Sequence, residues 1–247
     1  MSQKIENSVA LVTGANRGIG REFVAELLRR GASKVYLGAR DLSALASLVA
    51  IDPARLVPLK LDVTNAADVA DAFEAATDLT LLINNAGFAG EQGVISASDL
   101  SVARQEMEVN YFGVLSLSKA FAPILAKAPR SSIVNVLSFL SLVTLPSAGT
   151  YSASKAAALS ASRSIRAELL AQGTQVVAIM PVQVDTDMGR SLPEPRLKPF
   201  DVVSETLDAV EAGTEEVFPG ELTRNVAAAF ASDAKGVQAQ MSLRLPA

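Results

Sequence analysis

The chain has 247 residues, 49% of them apolar, a formal net charge of −4, and neither histidine nor cysteine. Such a length suits one large α/β domain or two small ones with a sizeable core. Without cysteine there are no disulfides, thiolate nucleophiles or cysteine zinc sites. Without histidine there is no Ser-His-Asp hydrolysis and no histidine metal site, and the acidic balance argues against nucleic acid.

The first eight residues carry charges where a signal peptide needs an apolar stretch, and no apolar run is long enough to span a bilayer. A cytoplasmic protein without membrane association is expected. Residues 9–12 read as a buried strand ending at Thr13-Gly14, and residues 19–30 as a helix stopped by Gly31. Strand 35–37, helix 42–50 and strand 56–61 follow, with Pro58 pointing to a sheet edge. Helix 66–76 and strand 79–83 come next. A long helix is expected over 99–127, bent near Gly113 or Pro123, then strand 132–137. Helix 151–172 closes at Gly173, and strand 175–180 stops at Pro181. Residues 189–199 carry three prolines and read as a loop. Helix 202–212, a short strand at 216–218 and a weakly helical, alanine-rich tail complete the chain. Strands alternating with helices imply right-handed crossovers and a parallel sheet covered on both faces. The expected fold is therefore α/β, one Rossmann-type doubly wound domain over residues 1–247 with about seven strands.

Thr13-Gly14-Ala15-Asn16-Arg17-Gly18-Ile19-Gly20 lies at the first strand-to-helix junction. Gly14 permits a tight turn, Gly18 lets backbone approach a pyrophosphate, and Gly20 allows close helix–strand packing. The helix N-terminus then offers unpaired N–H groups to phosphates. An acid at the end of the second strand would bind the ribose hydroxyls of NAD. Here that strand ends Leu37-Gly38-Ala39-Arg40, with no acid at that place. Arg40, with Arg17 in the glycine turn, fits a 2′-phosphate and points to NADP(H). The competing reading pairs Arg40 with Asp41, or sends Asp41 to the ribose of NAD.

Tyr151 and Lys155 are four apart and share a helix face, with Ser138 thirteen residues before the tyrosine. In a chain lacking histidine and cysteine, this phenol is the leading candidate to move a proton near neutral pH. A cation beside it lowers its pKa from about 10 by roughly 1–3 units.

Together these residues resemble the short-chain dehydrogenase/reductases over about residues 5–190. Thr13–Gly20 matches the family's cofactor turn, Asn84-Asn85-Ala86-Gly87 its sheet-stabilising motif, and Tyr151-x-x-x-Lys155 its catalytic pair. Ser138 and Asn110 fall where its other two catalytic residues are expected. The resemblance implies hydride transfer between NADP(H) and a carbonyl or secondary alcohol. Tyr151 is then the general acid or base, and Lys155 lowers its pKa and holds ribose. Ser138 orients the substrate oxygen, and Asn110 anchors a proton-relay water. It further implies cofactor contacts at Gly14, Asn16, Arg17, Gly18, Ile19, Gly20, Arg40, Asp62, Val63, Asn84, Ala86, Gly87, Val184 and Thr186, with Asn85 structural. A cap on the following turn is the rival role for Asp62, with Asn65 competing for it.

The family's Pro-Gly after the sixth strand is Pro181-Val182 here, and where many members end in a strand followed by Asp-Gly-Gly this chain has Val217-Phe218-Pro219-Gly220 and an alanine-rich tail. Phe139, Leu140, Leu142, Val143 and Leu145, with Phe88, Gln183 and Met188, are expected to line an apolar substrate site. The partner is then a small apolar ketone, aldehyde or alcohol, with residues 189–212 as a substrate-binding loop and helix. No metal is expected, and the resemblance implies a homodimer or homotetramer. The rival readings are an NAD-dependent alcohol dehydrogenase of the same family and a non-catalytic nucleotide sensor.

Overall fold

In the computed structural model, which describes residues 3–246, β-strands and helices alternate as the apolar periodicity requires. The strands are β1 (Val9–Thr13), β2 (Lys34–Ala39), β3 (Leu56–Lys60), β4 (Leu81–Asn84), β5 (Ser131–Val136), β6 (Thr174–Ile179) and β7 (Glu216–Val217). They form one sheet in the order β3-β2-β1-β4-β5-β6-β7, every pair parallel. The chain winds outward from β1 to β3, then crosses to β4 and winds the other way. The crevice beyond the ends of β1 and β4 is thus the switch point where doubly wound sheets bind ligands. Pro58 sits on the edge strand β3, where its missing N–H costs no ladder bond.

Successive strand residues face opposite sides. Val12, Ile83 and Val134 pack against Phe23 and Leu27 of α1 (Gly18–Arg29) and against Val203 and Leu207 of α7 (Pro199–Ala212). Leu11, Leu82 and Ile133 pack on the other side, with Val69 of α3 (Ala66–Ala75) and Leu117 and Phe121 of α5 (Gly113–Leu125). Each central strand thus reads as a continuous apolar run because both of its faces are buried. None of the helices among the described residues is long and apolar enough to cross a membrane.

Two elements differ from expectation. The helix expected over 42–50 is a 3₁₀ turn (Leu42–Leu45) followed by the short α2 (Ala46–Val49). The Asp41 carboxylate caps the Ser43 N–H at 2.8 Å and tightens that turn. The long helix is α4 (Ser101–Met107) joined to α5 by a π turn over Glu108–Phe112. Its irregularity precedes Gly113 and not Pro123, which α5 accommodates. At Gly113 a Cβ would stand 2.8 Å from Val63 Cγ2, so glycine lets the helix close on the cleft wall. The tail forms α8 (Gly220–Ser232) and α9 (Ala234–Met241).

Candidate active site

The glycine turn is built by interlocking backbone. Gly14 and Gly18 take left-handed φ values of +64° and +53°. A Cβ on Gly20 would lie 2.2 Å from Gly14 O, so no side chain fits there. The Thr13 hydroxyl accepts from Asn85 N and Ala86 N, both at 2.9 Å. Asn85 Nδ2 donates back to Thr13 O at 2.8 Å, which locks the ends of β1 and β4 together. Arg17 precedes α1, no side chain caps that helix, and its first turn carries no acid. Its N–H groups are left to an anion.

A cleft of about 330 Å³ runs from this turn to Tyr151. Of the sequence-predicted cofactor residues, Gly14, Asn16, Arg17, Gly18, Ile19, Arg40, Asp62, Val63, Ala86, Gly87, Tyr151, Lys155 and Thr186 line it. Three do not. Gly20 lies beneath the turn, where it acts through packing. Asn84 faces the interior, its Nδ2 donating to Asn135 Oδ1 at 2.8 Å and Ser118 Oγ at 3.3 Å. Because neighbouring side chains on a strand point oppositely, Asn85 takes the place at the cleft expected for Asn84. Val184 is buried and bridges to Leu197 across the following loop. Thr186 is held over the turn, 3.4 Å from where a Gly18 Cβ would stand, and its hydroxyl accepts from Gly189 N at 3.2 Å.

At the far end of the glycine turn, Arg40 is exposed and makes no ion pair among the described residues. Asp41 is turned away, accepting from Ser43 N at 2.8 Å and Ser43 Oγ at 2.7 Å, bonds that hold its carboxyl below the usual range. Arg17 stands 3.7 Å from Asp187, a loose surface pair. Asp62 accepts from Thr64 N and Oγ1 at 3.0 and 2.8 Å, while Asn65 caps α3. Asp62 therefore caps the turn after β3, its rival role, while Asn65 caps the helix and Asp62 also lines the cleft.

Ser138 follows β5, while Tyr151 and Lys155 lie in the first turns of α6 (Gly149–Leu169). Lys155 is buried. Its Nζ donates to Val136 O at 2.9 Å and lies 5.7 Å from the Tyr151 ring centroid, against the ring face. Burial alone brings Lys155 down to about 8. Part of the Tyr151 side chain faces the cleft, yet burial pushes its phenol up to about 12. The Ser138 hydroxyl pulls the other way, and the Glu106 carboxylate adds to the rise. The causes that shift the phenol are burial, Ser138 and Glu106, and Lys155 is not among them. Burial favours the neutral form of both groups, and the ammonium meets the ring and a carbonyl rather than the phenol oxygen.

Asn110 sits in the π turn and is buried. Its Oδ1 accepts from Phe88 N at 2.9 Å, and its Nδ2 donates to Phe88 O at 2.8 Å and Ser154 Oγ at 2.9 Å. Both amide protons are spent on structure, and one Oδ1 lone pair remains. Directly over Gly87, a Cβ position lies 3.4 Å from Asn110 Oδ1 and 3.7 Å from Lys155 Nζ. One turn before Asn110, the fully buried Glu106 accepts from Gly90 N at 2.8 Å. Glu106 carried no signal in the sequence, where it reads as one more helix-surface acid.

The expected apolar wall divides. Phe88 and Met188 line the cleft. Phe139 and Val143 belong to the core, with Phe139 edge-on to Phe218 and Phe230. Gln183 Nε2 donates to Pro195 O at 2.7 Å, which ties it to its own loop. Val182 packs against the α1/α7 core, and its N–H donates to Thr223 Oγ1 at 3.3 Å. Replacing the family's glycine therefore adds apolar packing against that core, while the backbone bond to α8 is one a glycine would also make, and the cleft lining does not include Val182.

The family model for short chain dehydrogenases matches residues 8–197. The short chain dehydrogenase tazN of Aspergillus terreus is 35% identical over 195 residues, 74% of this chain and 42% of that protein's length. This chain thus spans less than half of that relative. A short chain dehydrogenase from Burkholderia cenocepacia, solved in complex with NADP, superposes with a TM-score of 0.91 at 43% identity, covering 97% of this chain and 99% of that one. An NADPH-bound carbonyl reductase from chicken fatty liver superposes with a TM-score of 0.76 at 31% identity, covering 83% and 91%. With a family model that spans residues 8–197 and a fold shared with these solved relatives, the chain belongs to the short chain dehydrogenase family.

Proposed function

We propose that the chain is an NADP(H)-dependent oxidoreductase that reduces the carbonyl of a small substrate, or runs the reverse oxidation of a secondary alcohol. One observation carries this reading: a single cleft joins two cations at one end to Tyr151 and Lys155 at the other. The residues fit the cofactor. The uncapped N-terminus of α1 suits the pyrophosphate, the unpaired Arg40 with Arg17 suits a 2′-phosphate, and Asp62 and Val63 suit the adenine. The NADP and NADPH held by the two solved relatives support the same choice. The cofactor supplies the hydride.

The chain's own residues then handle orientation and the proton. Ser138 donates to the substrate oxygen and orients it. Tyr151, protonated at neutral pH, donates its proton to that oxygen as negative charge develops there. Lys155, with its pKa near 8, can return a proton to the phenolate and is itself recharged from solvent. The free Oδ1 lone pair of Asn110 and Lys155 Nζ converge over Gly87, and a water bridging them would carry that proton. Thr186 and Val184 hold the nicotinamide end, Val184 through its backbone since its side chain is buried. The segment 189–212 closes the substrate side, with Phe88 and Met188 giving the site an apolar floor. We place the enzyme in the cytoplasm as a homodimer or homotetramer, which size-exclusion chromatography tests.

A screen of ketones and aldehydes that follows loss of NADPH absorbance tests the activity. Turnover with NADH and none with NADPH would overturn the cofactor assignment.

A further inference from the structure

The segment from α8 to Pro246 lies beyond every motif of the site, yet it is fastened to the loop that leads from Ser138 to Tyr151 and to the loop after β4. On α9, Gln238 makes a two-way pair with the Thr144 backbone: Nε2 donates to Thr144 O at 2.9 Å, and Oε1 accepts from Thr144 N at 2.8 Å. Ser147 N donates to Arg244 O at 3.1 Å. Pro246 lies against Gly93 so closely that a Cβ there would stand 2.5 Å from the proline Cγ. Phe230 meets Phe139, the residue after Ser138, edge-on at 6.0 Å.

The loop gripped in this way leaves the site at Ser138 and returns to it at Tyr151, so it forms an arch whose two ends carry the two hydroxyls proposed to meet the substrate oxygen. Gly149 N donates to Gln92 O at 3.1 Å and ties the arch to the loop after β4. Three buried polar atoms in this part of the molecule, Gln92 Nε2, Ser141 Oγ and Thr150 Oγ1, have no hydrogen-bond partner among the described residues. A site that receives a ligand has a use for such groups, whereas a packed core does not.

Building on the carbonyl chemistry proposed for Tyr151, we propose that residues 233–246 form the outer wall of the substrate site. Gln238 is the positioning residue that latches this wall, and it thereby sets the largest carbonyl compound the site admits. Both latch bonds are exposed, so water can replace either partner when the wall opens. Leu243 and Leu245 are 81% and 72% exposed, so opening uncovers little further apolar surface there. The Gln238 latch is thus a pair of polar contacts that can be exchanged for water, as a movable element requires.

The test uses the full-length enzyme with NADPH and a series of methyl ketones of increasing bulk. In Gln238→Ala, the ratio of kcat/KM for the bulkiest ketone to that for the smallest should rise roughly tenfold, the scale of one or two net hydrogen bonds. The change should appear mainly in KM, with NADPH affinity unaltered. Gln238→Glu keeps the acceptor but sets an oxygen against Thr144 O, and should move the ratio the same way. Because it is nearly isosteric, it also provides the reading if the alanine variant melts early. Hydrogen exchange at residues 144–149 should quicken in both variants, a change that needs no turnover. A constant size ratio with unchanged exchange would overturn the latch. Tyr151→Phe, assayed in parallel, separates the two ideas: turnover persisting there sinks the carbonyl reading and leaves the exchange result to judge the wall.

Discussion

At the phosphate end of the cleft, Thr13, Gly14, Gly20 and Asn85 interlock through short backbone bonds, and two stretches of chain supply the whole turn. At the substrate end the cleft is lined by residues as far apart as Phe88, Tyr151 and Met188, and the loops around it are joined by side-chain contacts such as those of Glu106 with Gly90 and Gln238 with Thr144. The first construction tolerates no added atom, while the second can exchange its contacts with water. The difference suits a protein that must hold one cofactor rigidly while adjusting to a substrate.

The strongest way to break this comparison is at the shared end of the two regions. Tyr151→Phe should fold, bind NADPH and lose about 10²–10⁴-fold in turnover, the range of a general acid. Steady-state assays beside cofactor titration check it, and retained turnover would remove the proposed proton donor.

Next comes Lys155, whose pKa is lowered in the folded protein to about 8. The unfolded chain binds this proton between about pH 8 and 10.5 while the folded chain does not, so stability rises with pH across that window. The gain is at most about 3 kcal/mol. Tyr151 acts in the opposite sense above about pH 10, where the unfolded phenol ionises and the folded one stays protonated up to about 12. Thermal unfolding at pH 8 and pH 10 should show the rise in the parent chain and not in Lys155→Met. Equal slopes would mean that the ammonium is not held in an apolar place.

Gly20→Ala probes the rigid end. Its Cβ would meet Gly14 O at 2.2 Å, so the turn must shift, at about 2 kcal/mol of stability and with weaker cofactor binding. Unfolding and NADPH titration report both losses. The same alanine at a loop residue of the substrate wall should do far less, and similar losses at both places would erase the contrast. The smallest effect concerns discrimination: Arg40→Asp should weaken NADPH binding by about tenfold or more and spare NADH, as expected for losing one charge-assisted contact. An unchanged ratio of the two affinities would return the cofactor choice to Asp41 or Arg17.

The amino-acid sequence by itself gave away the parallel sheet, the glycine turn, the edge position of Pro58 and the Tyr151–Lys155 pairing. These depend on spacing along one strand or one helix, and periods of two and 3.6 residues are written locally. Only the tertiary structure decided which asparagine faces the cleft, because the side a strand residue takes depends on its neighbours in the sheet. It also decided the fate of the two ionisable groups. The i to i+4 spacing brings phenol and ammonium onto one face, but burial moves their pKa values, raising one and lowering the other. Glu106 and Gln238 were invisible for the same reason: each acts on a segment remote in sequence, and only the folded chain makes them neighbours.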